Sequence, residues 1–182
     1  MSKIGNKIIE IPEKTTVDLK EQEVLIKGAN GELKIVLPKS LEIIKENNLL
    51  KIKRKSDDKK IKSLHGLYRQ LIYNAILGVE KLWEKRLKLV GTGYQVKLEN
   101  NNLIFKVGYS HPVVFKSKEG IILKVEGNDT VIVQGVDKQK VGEIAYQIKM
   151  IKKPDVYKGK GIRYQDEKLR IKPGKKAKTG AS

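Results

Sequence analysis

The chain has 182 residues, with 39 Lys plus Arg against 21 Asp plus Glu, and a formal net charge of +18 at pH 7. Solubility needs far less charge than this, so a polyanionic partner is expected, with nucleic acid the first candidate. The absence of cysteine excludes disulfides, thiolate metal sites and a cysteine nucleophile. The opening MSKIGNKIIEIPEK has no apolar run of signal-peptide length, and no long apolar stretch follows to span a bilayer, so a soluble cytoplasmic protein without membrane contact is expected.

Apolar and polar residues alternate over Thr16 to Leu19, Val24 to Lys27 and Leu33 to Leu37, with turn residues between them, which predicts strands. Asn30-Gly31 suits a tight hairpin turn. Leu49 to Lys53 alternates again, and the period then becomes helical, with Ile61, Leu64, Tyr68, Leu71, Ile72, Ala75 and Val79 on one face. Asp57 or Asp58 is the expected start of that helix, because a carboxylate there accepts free backbone N–H groups.

After Gly78, strand patterns return at Leu82 to Val90, Tyr94 to Leu98, Leu103 to Val107, Val113 to Phe115, Ile121 to Val125 and Thr130 to Gln134. A second helix is predicted from a cap at Asp137, burying Val141, Ile144, Ala145, Ile148 and Ile151 and stopping before Pro154.

Strands followed by one helix thus occur twice. The fold class this predicts is α+β: two tandem small domains, each an antiparallel sheet covered by one helix, with a basic C-terminal tail. The expected boundaries are 1–81, 82–154 and 155–182. Charge is uneven along this plan: residues 1–50 carry eight Lys and eight acids, whereas 152–178 carry eleven Lys plus Arg against Asp155, Asp166 and Glu167. With few apolar residues, the tail is expected to order on a partner rather than by its own burial.

Catalytic signatures are lacking. His65 and His111 fall in different predicted domains, and a structural role for each is the simpler reading. Gly91-Thr-Gly93 lacks the third glycine of a dinucleotide fingerprint, and Lys158-Gly-Lys-Gly161 lacks the P-loop spacing. The Asp57-Asp58 pair runs straight into Lys59-Lys60, which fits a helix start better than a metal site. No enzymatic activity, small-molecule substrate, cofactor or metal is expected.

The strongest constellation is the C-terminal run, in which Lys152, Lys153, Lys158, Lys160, Arg163, Lys168, Arg170, Lys172, Lys175, Lys176 and Lys178 supply cations for phosphates. Gly159 and Gly161 permit close backbone approach, and Tyr157 or Tyr164 offers a stacking face. The alternative is a solvated basic tail whose tyrosines pack back on the second domain. A second cluster runs Lys51, Lys53, Arg54, Lys55, Lys59, Lys60 and Lys62. On a helical wheel Lys62, His65 and Arg69 lie within about sixty degrees of one another, a face expected to touch a phosphate backbone.

These residues also carry a resemblance. PDVYKGKGIRYQDE at 154–167 resembles the C-terminal signature of the bacterial form of the sixth large-subunit ribosomal protein family. Further matches are MSKIGNKIIEIP at the start, VLIKGANGEL at 24–33, SLHGLYRQLIYNAILGV at 63–79, LVGTGYQ at 89–95, VGYSHPV at 107–113 and VQGVDKQKVGEIA at 133–145. Thr92 stands where a small apolar residue is expected, and Lys168-Leu-Arg-Ile-Lys-Pro173 replaces a more Arg-rich and acidic segment. The resemblance implies two similar α+β domains and a structural role in the large ribosomal subunit. It also implies contact with large-subunit rRNA through the C-terminal domain and tail, and a position at the base of the stalk near the sarcin-ricin loop, beside neighbouring ribosomal proteins. Two other readings explain the charge: an RNA-binding module outside the ribosome, and an enzyme acting on a polyanion.

Overall fold

The computed structural model describes residues 3–174. In chain order its elements are β1 (Ile9–Glu10), β2 (Thr16–Lys20), β3 (Glu23–Gly28), β4 (Gly31–Val36), β5 (Leu41–Glu46), β6 (Leu49–Arg54), α1 (Lys59–Glu80), β7 (Trp83–Val90), β8 (Gln95–Glu99), β9 (Asn102–Lys106), β10 (Val113–Phe115), β11 (Ile121–Glu126), β12 (Thr130–Gly135), α2 (Lys138–Ile151) and β13 (Gly161–Tyr164). They fall into two units. One runs to Trp83 and takes in Gly135–Gln139; the other comprises Glu84–Gln134 and the chain from Lys140 onward.

Both units follow one plan. In the first, β1 is followed by the antiparallel meander β2-β3-β4, then by the hairpin β5-β6, which accepts β1 on its far side to give the order β1-β6-β5, and then by α1. In the second, β7, the meander β8-β9-β10, the hairpin strands β11 and β12, and α2 come in the same sequence; the order β11-β12-β7 repeats the first with β13 added outside β7. The expected tandem α+β architecture is present, with one correction: each unit has two small sheets, not one. In the first unit Pro38, which has no N–H to give a ladder, separates the meander from β5.

One two-residue turn is set by side chains that tolerate positive φ. Asn100 and Asn101 both adopt it (φ 47° and 65°) between β8 and β9. The Ala29-Asn30 turn has a second task, since the Asn30 amide donates to the carbonyls of Val79 and Glu80 at 3.2 and 2.8 Å and so satisfies the C-terminal end of α1.

In the first unit Val17, Val24, Ile26, Leu50 and Ile52 from the sheets meet Ile72, Ala75, Ile76 and Val79 of α1, all buried. Burying each such aliphatic side chain contributes about 1.5–3 kcal/mol. Leu87, Leu89, Leu103, Phe105, Val131 and Val133 form the counterpart in the second unit with Val141, Ile144, Ala145 and Ile148 of α2. Ile151, expected in that stripe, is only half-buried.

Other departures have local causes. α1 does start after Asp58, but neither carboxylate caps it: Asp57 is taken by Arg54 at 2.6 Å, and Asp58 accepts the Ser56 hydroxyl at 2.8 Å. At α2 the expected cap holds, with Gln139 N–H donating to Asp137 Oδ1 at 2.8 Å. The largest correction concerns the boundary at 155. Residues 161–164 form β13, paired antiparallel with β7, and Ile162 is wholly buried opposite Leu89. That stretch belongs to the second unit, not to a separate tail.

Candidate nucleic-acid interface

The basic C-terminal segment is fixed in place by a few specific contacts. Ile162 N–H donates to Lys152 O at 2.8 Å, and Gln165 N–H donates to Arg86 O at 3.0 Å, so β13 is tied at both ends. Between Pro154 and Gly161 the chain makes a closed loop: Asp155 N–H donates to Lys160 O at 2.8 Å and Gly159 N–H to Asp155 O at 2.9 Å. Backbone N–H groups of Lys158 and Tyr157 donate to the Asp155 carboxylate and hold its pKa below the ordinary aspartate value. Farther on, Lys172 N–H donates to Val156 O at 2.9 Å, which lays Leu169 to Lys172 alongside that loop.

The two glycines serve this loop rather than a ligand. Gly159 needs φ +68°, and a Cβ on Gly161 would stand 2.5 Å from Pro154 Cα and 2.7 Å from Lys153 O. Both are buried, so the expectation that they admit a phosphate backbone is corrected. Tyr164 is likewise engaged internally. It is half-buried, with Lys149 Nζ 4.9 Å and Lys85 Nζ 5.9 Å from its ring centroid, and its N–H donates to Glu167 at 3.1 Å. Lys149 also holds both Glu167 oxygens at 2.6 and 2.7 Å, and this ammonium keeps the Glu167 carboxyl below its usual range.

The cations remain outside. Lys153, Lys158, Lys160, Lys168, Arg170 and Lys172 are exposed, Lys152 and Arg163 half-buried, and among the described residues none of them has a carboxylate within ion-pair distance. Tyr157 is 58% exposed beside Val156 and Ile171, also open. Lys152 spends part of its reach on Tyr109, its Nζ 4.3 Å from the ring centroid. Lys175, Lys176 and Lys178 lie outside the described residues.

The register of β13 reveals a cation that sequence reading missed. Arg163 pairs with Lys88, two like charges side by side, which is unfavourable unless an anion offsets it. Among the described residues, the carboxylate in ion-pair range of Lys88 is that of Asp129, at 3.9 Å. The alternation of β7 marks Lys88 as outward-facing, but only the β7–β13 pairing brings it to Arg163.

In the first unit, the expected phosphate-facing trio divides. Lys62 is exposed, with Asp57 at 3.9 Å. His65 and Arg69 are corrected: they are 1% and 4% exposed and serve the fold. His65 Nε2 donates to Ile52 O at 2.8 Å; Arg69 donates to Lys7 O at 3.1 Å and Ile8 O at 3.4 Å, with its guanidinium 4.7 Å from the Tyr73 ring centroid. A helical wheel set them beside the apolar stripe, but the N-terminal segment covers that flank. Among the described residues no cluster of His, Asp or Glu converges as a metal site, and no helix is long and apolar enough to cross a membrane.

The family model of ribosomal protein L6 matches residues 11–81 and 90–165, one stretch in each half of the chain. The chain belongs to the ribosomal protein L6 family. This is a family of structural proteins, not of enzymes. Among its curated relatives, the large ribosomal subunit protein uL6 of Staphylococcus carnosus is 47% identical over 98% of this chain and 100% of its own length. The uL6 proteins of Natranaerobius thermophilus and Rippkaea orientalis are each 43% identical over 98% of this chain and 100% and 99% of theirs. The family match runs to residue 165 and so takes in β13 and the loop before it.

Proposed function

We propose that this chain is a structural constituent of the large subunit of the cytoplasmic ribosome, binding large-subunit rRNA through its basic surfaces and above all its C-terminal segment. The observation that carries this is a rigid cationic surface. Lys158, Lys160, Lys168, Arg170 and Lys172 project from a segment whose backbone is hydrogen-bonded into the second unit, so little further ordering is needed on binding. Their ammonium and guanidinium groups contact phosphates and release condensed counterions, while Tyr157 offers an open ring to an unstacked base. Lys175, Lys176 and Lys178 extend the same charge run. The placement near the stalk base and the sarcin-ricin loop, with ribosomal proteins as neighbours, rests on the family resemblance of the 154–167 motif.

The test is a salt titration of binding between the purified chain and large-subunit rRNA. The logarithm of the affinity is expected to fall linearly with the logarithm of salt concentration, and Lys158→Gln or Lys160→Gln to lower the slope by about one each. A salt-independent affinity, or unchanged slopes in both variants, would contradict the reading.

A further inference from the structure

The first unit has a basic basin that the C-terminal surface does not explain. Its origin is a strand with a half-finished edge. β6 pairs with β5 along its whole length, but on its other side β1 covers only Leu49 and Leu50. From Lys51 onward that edge has no strand partner among the described residues, and the Ile52 carbonyl there is satisfied by His65 Nε2 at 2.8 Å. A carbonyl only accepts, so Nε2 carries the proton and Nδ1 is left as an acceptor, which Arg54 Nη1 approaches at 3.4 Å. Gly5 lies flat on this ring; a Cβ there would be 2.4 Å from Nδ1.

The result is a fixed floor with cationic walls. Asn6, Lys51, Ile52, Lys53, Arg54, Asp57 and His65 line an open basin of about 270 Å³. At ~30 Å³ per water that is room for a tetrahedral oxyanion with part of its hydration shell. The lining holds three cations, Lys51, Lys53 and Arg54, and one carboxylate, Asp57, which Lys62 also approaches at 3.9 Å. Asp57 is already held by Arg54 Nε at 2.6 Å, and this contact keeps it ionised by lowering its pKa. Arg54 Nη2 has no hydrogen-bond partner among the described residues, and the Arg54 side chain, only 16% exposed and held through Nε by Asp57, lines the basin. Lys51 and Lys53 alternate outward on the strand and, among the described residues, neither has a carboxylate in ion-pair range.

We infer that this basin is a second phosphate-binding site, independent of the C-terminal surface, in which Arg54 and the Asn6 amide donate to phosphoryl oxygens and Lys51 and Lys53 neutralise the charge. The phosphoryl group can come from an RNA backbone or from free phosphate. Only the RNA source rests on the function proposed above.

The test uses the full chain, labelled with nitrogen-15, titrated separately with inorganic phosphate and with a short RNA duplex. Saturable shifts at the Asn6 side-chain amide and Arg54 Nε are expected, and Lys51→Gln/Lys53→Gln, both exposed, should weaken them at least about five-fold. Shifts with the duplex, retained when Lys158 and Lys160 are changed to Gln, assign RNA backbone as the source. Shifts with inorganic phosphate alone assign the free ion. Absence of shifts at Asn6 and Arg54 with both probes, or an unchanged affinity in the Lys51/Lys53 double variant, overturns the site. A duplex that shifts neither this basin nor residues 153–172, while inorganic phosphate still binds here, counts against RNA binding and not against the basin.

Discussion

Single residues decide where the backbone comes closest to itself. Gly161 combines φ +148° with Pro154 Cα 2.5 Å from where its Cβ would be, so Gly161→Ala is expected to destabilise the chain by about 2 kcal/mol or more in chemical denaturation. Gly142 is the internal control. It sits in α2 with nothing within 4 Å of a Cβ, and Gly142→Ala should stabilise by about 0.5–1 kcal/mol. Arg69 shows why burial overrides a helical wheel. Its guanidinium pairs the carbonyls of Lys7 and Ile8, and Arg69→Met, which keeps most of the apolar volume, should cost about 2–3 kcal/mol by leaving them bare. An Arg69→Met variant as stable as the parent would show that water reaches those carbonyls. From sequence, Arg69 and an RNA-facing arginine look alike, because the covering N-terminal segment is short and has no periodicity of its own.

Elements were legible in proportion to their length and regularity. Both helices and the alternating strands could be read from spacing, because an amphipathic period survives over many residues. β1 has two residues, and β5 runs Leu41-Glu-Ile-Ile-Lys-Glu46 with two adjacent isoleucines, so neither presents a clean alternation. β13 was hidden differently. Its Gly-Ile-Arg-Tyr sits among lysines and prolines, and only Ile162 reports a core, through long-range pairing with Leu89. The same element explains an expected acid response. Glu167 follows β13 and grips Lys149 of α2; its folded pKa lies below the ordinary 4.5. A lowered carboxylate pKa stabilises above its unfolded value, and that contribution fades as pH falls through the folded value. Glu167→Gln should therefore lower stability at pH 7 by about 1 kcal/mol, since the pair is partly exposed, and the difference from the parent should shrink as pH falls below the ordinary glutamate value. Thermal melts across that range read it directly, and a difference that persisted at the acid end would assign the effect to packing.

At the level of the whole molecule, one plan is used twice with different charge. The repeated order of strand, meander, hairpin and helix gives each unit its own core, and only the second carries the extra strand that pins the basic segment. The net charge of +18 was plain in the sequence, whereas its division between spent and available cations was not. Lys149 and Arg69 are used within the fold, whereas Lys158, Lys160, Lys168, Arg170 and Lys172 are exposed and, among the described residues, without a carboxylate in ion-pair range. Truncation at Asp155 is a poor probe of this surface, because it removes Ile162 from the second core along with the charge. Charge reversal on exposed side chains separates the two.

The most direct measurement is sedimentation of cell lysates containing the full chain or its Lys158→Glu/Lys160→Glu/Lys172→Glu variant, with thermal melts of both purified proteins. The parent should co-sediment with large ribosomal subunits, and the variant, with an unchanged melting temperature, should shift to the free-protein fractions. A variant retained as fully as the parent would contradict the C-terminal segment as the main rRNA contact, and absence of the parent from the subunits would contradict the ribosomal role itself.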